Sequence, residues 1–191
     1  MITQSGPKTA IKKVIIDVGA TPIITVIMGS MQKYCLVKLL EKLDEGAEFT
    51  AINYWPLHTT LASNFIVDWE STDLLNKLSD VLSNIKPVSV SAGEDEFFGG
   101  ERKIQATVLD MNEELMPLHK QIIKTLKEAG AIFDEPQYNE DGYRAHATVQ
   151  KAHRLNKGDN VLIDEVTIVD MFPNQDITRR KILKTIKLTG S

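Results

Sequence analysis

The tetrad His58-Thr59-Thr60-Leu61 recurs 88 positions later as His146-Ala147-Thr148-Val149, and this repetition limits what the chain can fold into. Each copy sits in a run that reads as a strand, where successive side chains point to opposite faces. His58 and Thr60 then share one face, with Leu57, Thr59 and Leu61 behind them; His146 and Thr148 repeat the arrangement over Ala145, Ala147 and Val149. A single His-x-Thr in a strand is most often a partly buried histidine beside a strand-favouring threonine. The same polar face and the same apolar backing in both halves of the chain, using two of its four histidines, is hard to attribute to packing. If the two strands line one cleft, two imidazoles and two hydroxyls meet in a small volume, which is the equipment for moving protons around an oxyanion such as a phosphate.

The rest of the pattern is that of an α+β chain. Strands are expected over residues 33–40, 54–66, 88–98, 103–109, 143–151, 161–172 and 179–188, with Gly99-Gly100 as a hairpin turn. Residues 71–85 carry the apolar stripe Leu74, Leu75, Leu78, Val81, Leu82 and Ile85 and read as a helix stopped by Lys86-Pro87. A second helix is expected over 113–129, with Leu115, Leu118, Ile122, Ile123 and Leu126 inward, Pro117 in its first turn and Gly130 as its cap. Runs of antiparallel strands with two amphipathic helices indicate α+β and not a doubly wound parallel sheet.

On the tetrads HTTL and HATV the chain resembles the two-histidine (2H) phosphoesterases, whose members include bacterial 2'-5' RNA ligases and 2',3'-cyclic nucleotide phosphodiesterases. The likeness runs in outline over residues 31–188 and beyond the tetrads rests on the order of elements. It implies a bilobal fold in which two antiparallel sheets surround a central cleft, with helices packed on the outside and the motif histidines facing each other. It also implies that His58 serves as acid towards the leaving group and His146 as base. The chemistry itself follows from the residues. One imidazole activates the nucleophile and the other protonates the departing oxygen, with no metal or other cofactor required. Thr60 and Thr148 would hold the non-bridging phosphate oxygens. The expected reaction is the opening of 2',3'-cyclic phosphates, on an RNA end or a nucleotide, to 2'-phosphates. The alternatives are a 2'-5' phosphodiesterase or RNA ligase, a hydrolase of a cyclic signalling nucleotide, a nucleotide or RNA-end binding module without turnover, and a metal site on the two histidines.

A net charge of −4 argues against broad binding to long nucleic acid, which relies on many phosphate-neutralising cations, but leaves a small phosphorylated ligand or an RNA end as partner. The basic run Arg179, Arg180, Lys181, Lys184 and Lys187 reads as a solvated strand face ahead of a phosphate-steering patch. Cys35 is the sole cysteine, so no intrachain disulfide forms. No stretch is long and apolar enough for a membrane span, and a cytoplasmic monomer is expected. Residues 1–30 form an N-terminal extension, either a β-hairpin turning at 18–20 or an appended, dispensable piece ending at Gly29-Ser30, ahead of a phosphoesterase domain over 31–191. Tyr54, Tyr143 and Lys151 are candidate substrate-binding residues, and Trp55, Tyr138 and Phe172 lie near enough to the motif or closing strands to stack a base. Arg144 flanks the second tetrad. His119 reads as a structural residue beside a helix stripe and His153 as a strand-end residue. The loop over 135–142 is a candidate specificity loop.

Overall fold

The computed structural model describes residues 13–16, 23–26, 32–50, 55–67, 71–99, 101, 103–150 and 153–191. The chain divides into two units, residues 1–31 and 32–191. In the first, β1 (Lys13–Ile16) and β2 (Ile23–Val26) pair antiparallel, Lys13 opposite Val26; the expected turn between them lies outside the described residues.

The second unit contains β3 (Lys33–Leu39), β4 (Glu48–Thr50), β5 (His58–Ile66), α1 (Ser71–Leu82), β6 (Val88–Phe98), β7 (Ile104–Leu109), α2 (Leu115–Glu128), β8 (Ile132–Phe133), β9 (His146–Thr148), β10 (Asn160–Ile163), β11 (Glu165–Asp170) and β12 (Arg179–Lys187). Every strand pairing is antiparallel, in the order β10-β6-β7-β9-β5-β3-β11-β12-β4, with β8 on β5. The fold is therefore α+β. The two sheets that the resemblance implies are joined here into one hydrogen-bonded path through the short strand β9.

The helices form where their apolar spacing demands. In α1, Leu74, Leu78 and Leu82 recur every four residues and are buried. In α2, Leu115, Leu118, Ile122, Ile123 and Leu126 are buried. Asn112 Oδ1 accepts from the Glu114 and Leu115 amides at 3.1 and 2.8 Å and so caps the start of α2. Gly130, at φ +84°, takes the left-handed conformation that ends it. Both helices contribute to one core with Leu36 of β3, Leu61 and Phe65 of β5, Val88 and Val90 of β6, and Val166 and Ile168 of β11. A smaller cluster, Cys35, Val37, Leu39, Val169, Met171 and Ile182, lies on the other face of β3, β11 and β12 beneath Leu43, Phe49 and Trp55.

The helix expected over 71–85 ends at Leu82, and three strand boundaries differ from the pattern of the sequence. The first motif strand starts at His58 and not at 54, after Pro56, which has no N–H to give a ladder. The second motif strand is three residues long, because 3-10 turns at Pro136–Tyr138 and Glu140–Gly142 lead into it and a Gln150–His153 bridge closes it. The expected strand over 161–172 is two strands: Ile163 pairs with Val88, while Glu165 pairs with Lys187. Between them Asp164 accepts from Lys38 Nζ at 2.7 Å and its carbonyl from the Leu188 amide at 2.7 Å. This single-residue link also shapes the sheet. Six strand-to-strand steps separate β10 from β11, about 29 Å if laid flat at roughly 4.8 Å each, yet the chain crosses with Asp164 alone, so the sheet bends strongly.

Candidate active site

β5 and β9 lie side by side in the sheet, with Thr59 paired to Ala147. In an antiparallel ladder this register sets His58 across from Thr148 and Thr60 across from His146, so the two His-Thr pairs interlock in a two-fold arrangement. Directly opposed Cβ atoms are about 4.5–5.5 Å apart and diagonal ones about 7–8 Å, and the two imidazoles occupy a diagonal. Thr59 and Ala147 point to the buried face at 0% and 1% exposure, while His58, Thr60, His146 and Thr148 are all half-buried on the other.

The two motifs also share their hydrogen bonding. His58 Nδ1 lies 2.7 Å from the Pro56 carbonyl and His146 Nδ1 lies 2.8 Å from the Arg144 carbonyl, in each case the residue two positions back. A carbonyl only accepts, so each Nδ1 carries the proton and each Nε2 is left for chemistry. An aromatic ring backs each imidazole: Trp55 against His58 at 4.2 Å between centroids, and Phe98 of β6 against His146 at 4.3 Å and 16°. Burial lowers the His58 pKa below its usual value; the Pro56 carbonyl opposes this and the charge of His146 adds to it.

The remaining candidates divide. Tyr54 and Lys151 lie outside the described residues. Tyr143 is buried at 7% exposure; its hydroxyl donates to the Thr60 carbonyl at 2.8 Å and its ring stacks on His119 at 3.7 Å, so it lies beneath the site and presents no face to a ligand. His119 is fully buried, with Nδ1 donating to the Leu61 carbonyl at 2.8 Å and Nε2 accepting from the Glu140 amide at 2.8 Å. Arg144 is on the site side: its guanidinium pairs with Glu96 at 2.6 Å and lies 5.7 Å from the Phe98 ring centre. These residues with Phe97 line a cavity of about 500 Å³. Phe172 carries the Lys33 ammonium over its ring, and Tyr138 is exposed on the loop before β9. His153 Nδ1 lies 3.4 Å from Glu41, whose carboxylate also accepts from the Leu57 amide at 3.0 Å beside the first motif. In the basic run, Arg179 pairs with Glu48 at 2.6 Å and Lys184 with Glu45 at 3.2 Å. The reading as a strand face thus describes β12, with acidic partners supplied from residues 45–48. Phe98 and Glu41 went unnoticed in the sequence, since only the tertiary fold brings them to the motifs.

Among the described residues no group of three or more His, Cys, Asp or Glu side chains is close enough to hold a metal ion, and no helix is long and apolar enough to cross a membrane.

Residues 36–165 match the model of the 2'-5' RNA ligase superfamily. No curated protein sequence matches significantly. Among solved structures, TT0787 of Thermus thermophilus superposes with a TM-score of 0.55 at 14% identity, covering 83% of this chain and 99% of that one. E. coli LigT, solved in complex with 3'-AMP, gives 0.51 at 16%, with 83% and 99% covered. A protein described as a phosphoesterase gives 0.51 at 17%, with 83% and 99% covered. At these identities the structural likeness is one of fold, whereas the family match spans most of the chain: it belongs to the 2'-5' RNA ligase superfamily, the two-histidine phosphoesterases.

Proposed function

We propose that the protein is a metal-independent phosphodiesterase that opens nucleoside or RNA-terminal 2',3'-cyclic phosphates to 2'-phosphates, with His58 and His146 as acid–base catalysts and Thr60 and Thr148 as phosphate ligands. The observation that carries the reading is the pair of Nδ1–carbonyl bonds, which fix the same tautomer in both imidazoles and leave two Nε2 atoms on one face. A phosphate seated between them meets a proton donor on one side and a proton acceptor on the other, and the crossed threonines supply hydroxyl donors to its non-bridging oxygens. One imidazole serves as base and the other as acid, and the resemblance makes His58 the acid towards the leaving group and His146 the base. In the forward step His146 takes a proton from water as it attacks phosphorus, the bond from phosphorus to the 3'-oxygen breaks, and His58 delivers a proton to that oxygen. Nothing becomes covalently attached to the enzyme.

In-line displacement aligns one ester bond of the ring at a time, so a fixed binding orientation gives one product isomer. Purified protein incubated with a nucleoside 2',3'-cyclic phosphate should yield the 2'-phosphate alone, with EDTA having no effect. A 3'-phosphate or a mixture, read by phosphorus NMR against authentic isomers, contradicts the orientation. Absence of turnover on this and on a 2'-5' linked dinucleotide contradicts the catalytic reading.

A further inference from the structure

The strand carrying His146 is held unequally on its two sides. Towards β7 it makes three register pairs, Ala106 with Thr148, Thr107 with Ala147 and Val108 with His146. Towards β5, which carries His58, it makes one, Thr59 with Ala147. The same edge of β5 is next paired at Phe65 and Ile66, by β8. The seam between the two motifs is thus the weakest-laddered part of the sheet around the site, and it is the seam whose geometry sets how far apart the imidazoles stand.

Two buried side chains close that gap. Tyr143, three residues before His146, sends its hydroxyl to the carbonyl of Thr60, two residues after His58. His119, on α2, donates from Nδ1 to the next carbonyl, Leu61, and accepts at Nε2 from the Glu140 amide in the turn that leads into β9. The two rings lie face to face, 3.7 Å apart and within 3° of parallel. Packing alone would be met by apolar residues of similar size, whereas buried polar atoms are costly unless bonded. Here the three polar atoms reach the strand of the first motif or the entry to the second.

We infer that the stacked His119–Tyr143 pair is a positioning clamp that pins β9 to β5 and so fixes the separation of His58 and His146. This rests on the reading of those histidines as the catalytic pair. Neither clamp residue touches the substrate; the pair acts through the two strands it ties together.

Tyr143→Phe tests this, since it removes one hydroxyl and keeps the ring on His119. Displacing reacting groups by about an ångström costs up to roughly a hundredfold in rate; kcat on a 2',3'-cyclic phosphate should therefore fall about ten- to a hundredfold, with KM little changed. Proton NMR titration of the His58 ring supplies a readout independent of turnover. Burial lowers the His58 pKa and the charge of His146 adds to the shift, and in Tyr143→Phe the part due to His146 should weaken. A variant with wild-type kcat and a wild-type His58 titration, altered only in Tm, overturns the proposal and leaves the stack as ordinary core. If the wild type turns over no diester, the catalytic reading fails, and the titration alone still decides whether the clamp sets the spacing.

Discussion

Mild acid should destabilise the fold through His119. The imidazole is buried, its Nδ1 proton is given to the Leu61 carbonyl and its Nε2 lone pair is occupied by the Glu140 amide, so a second proton has no place without breaking that bond. Burial lowers its pKa; the Leu61 carbonyl and the Glu140 carboxylate oppose the shift and Lys120 adds to it. In the unfolded chain the ring regains the ordinary value near 6.5. Below that pH the unfolded state takes up a proton that the folded state refuses, so the stabilisation is complete above about 6.5 and is lost as pH falls towards the folded value. One such proton corresponds to a slope of up to about 1.4 kcal/mol per pH unit, and for a chain of this size about 2–4 °C per kcal/mol gives roughly 3–6 °C of Tm per unit. Half-buried His58 is shifted the same way and steepens the total, whereas Asp170, whose carboxyl burial raises, works in the opposite sense. Comparison with His119→Gln cancels both, because glutamine keeps a polar tip and does not titrate. Calorimetric Tm values from pH 7.5 to 5 should fall more steeply in the wild type than in His119→Gln. Equal slopes would refute the argument that His119 is held neutral by its partners.

Loss of either motif histidine, His58→Ala or His146→Ala, should lower kcat by about 10²–10⁴-fold with the fold intact by circular dichroism, and the double variant should lose less than the product because the two act on one phosphorus. Thr59 Oγ1 is buried and has no hydrogen-bond partner among the described residues, so the isosteric Thr59→Val should raise stability by about 1 kcal/mol in urea denaturation. A chain beginning at Met31 should fold and keep full activity, since both motifs and all ten strands of the main sheet lie beyond it; aggregation of that chain would show that residues 1–30 are integral.

The legible parts of the fold were those in which a local pattern has one solution. Alternation along the first tetrad places Thr59 and Leu61 at 0% exposure and turns His58 and Thr60 to the other face, and Leu74, Leu78 and Leu82 of α1 and the apolar stripe of α2 enter the core as spaced. What could not be read was decided by pairing at long range. Residues 161–172 look continuous because each half alternates or runs apolar, and nothing local says that Ile163 will seek Val88 at one edge of the sheet while Glu165 seeks Lys187 in its other half. The aromatic backing of His146 comes from Phe98, on a different hairpin, and no spacing in the chain foretells it.

Tyr143 is a different kind of failure, because the signal was present. It stands an odd number of positions before His146, and alternation therefore groups it with Ala145 and Ala147; the three are buried at 7%, 1% and 1%. A residue on that parity faces the helices, and its hydroxyl must find a partner inside, which it does at Thr60. Arg144 has the parity of His146 and lies on the site side, against Phe98 and Glu96. The parity that identifies the histidines therefore also sorts their neighbours. Although β9 as a ladder is three residues long, the extended chain leading into it holds that alternation back to Tyr143, and this is what lets one tyrosine reach under the seam to the first motif while its neighbour stands beside the second.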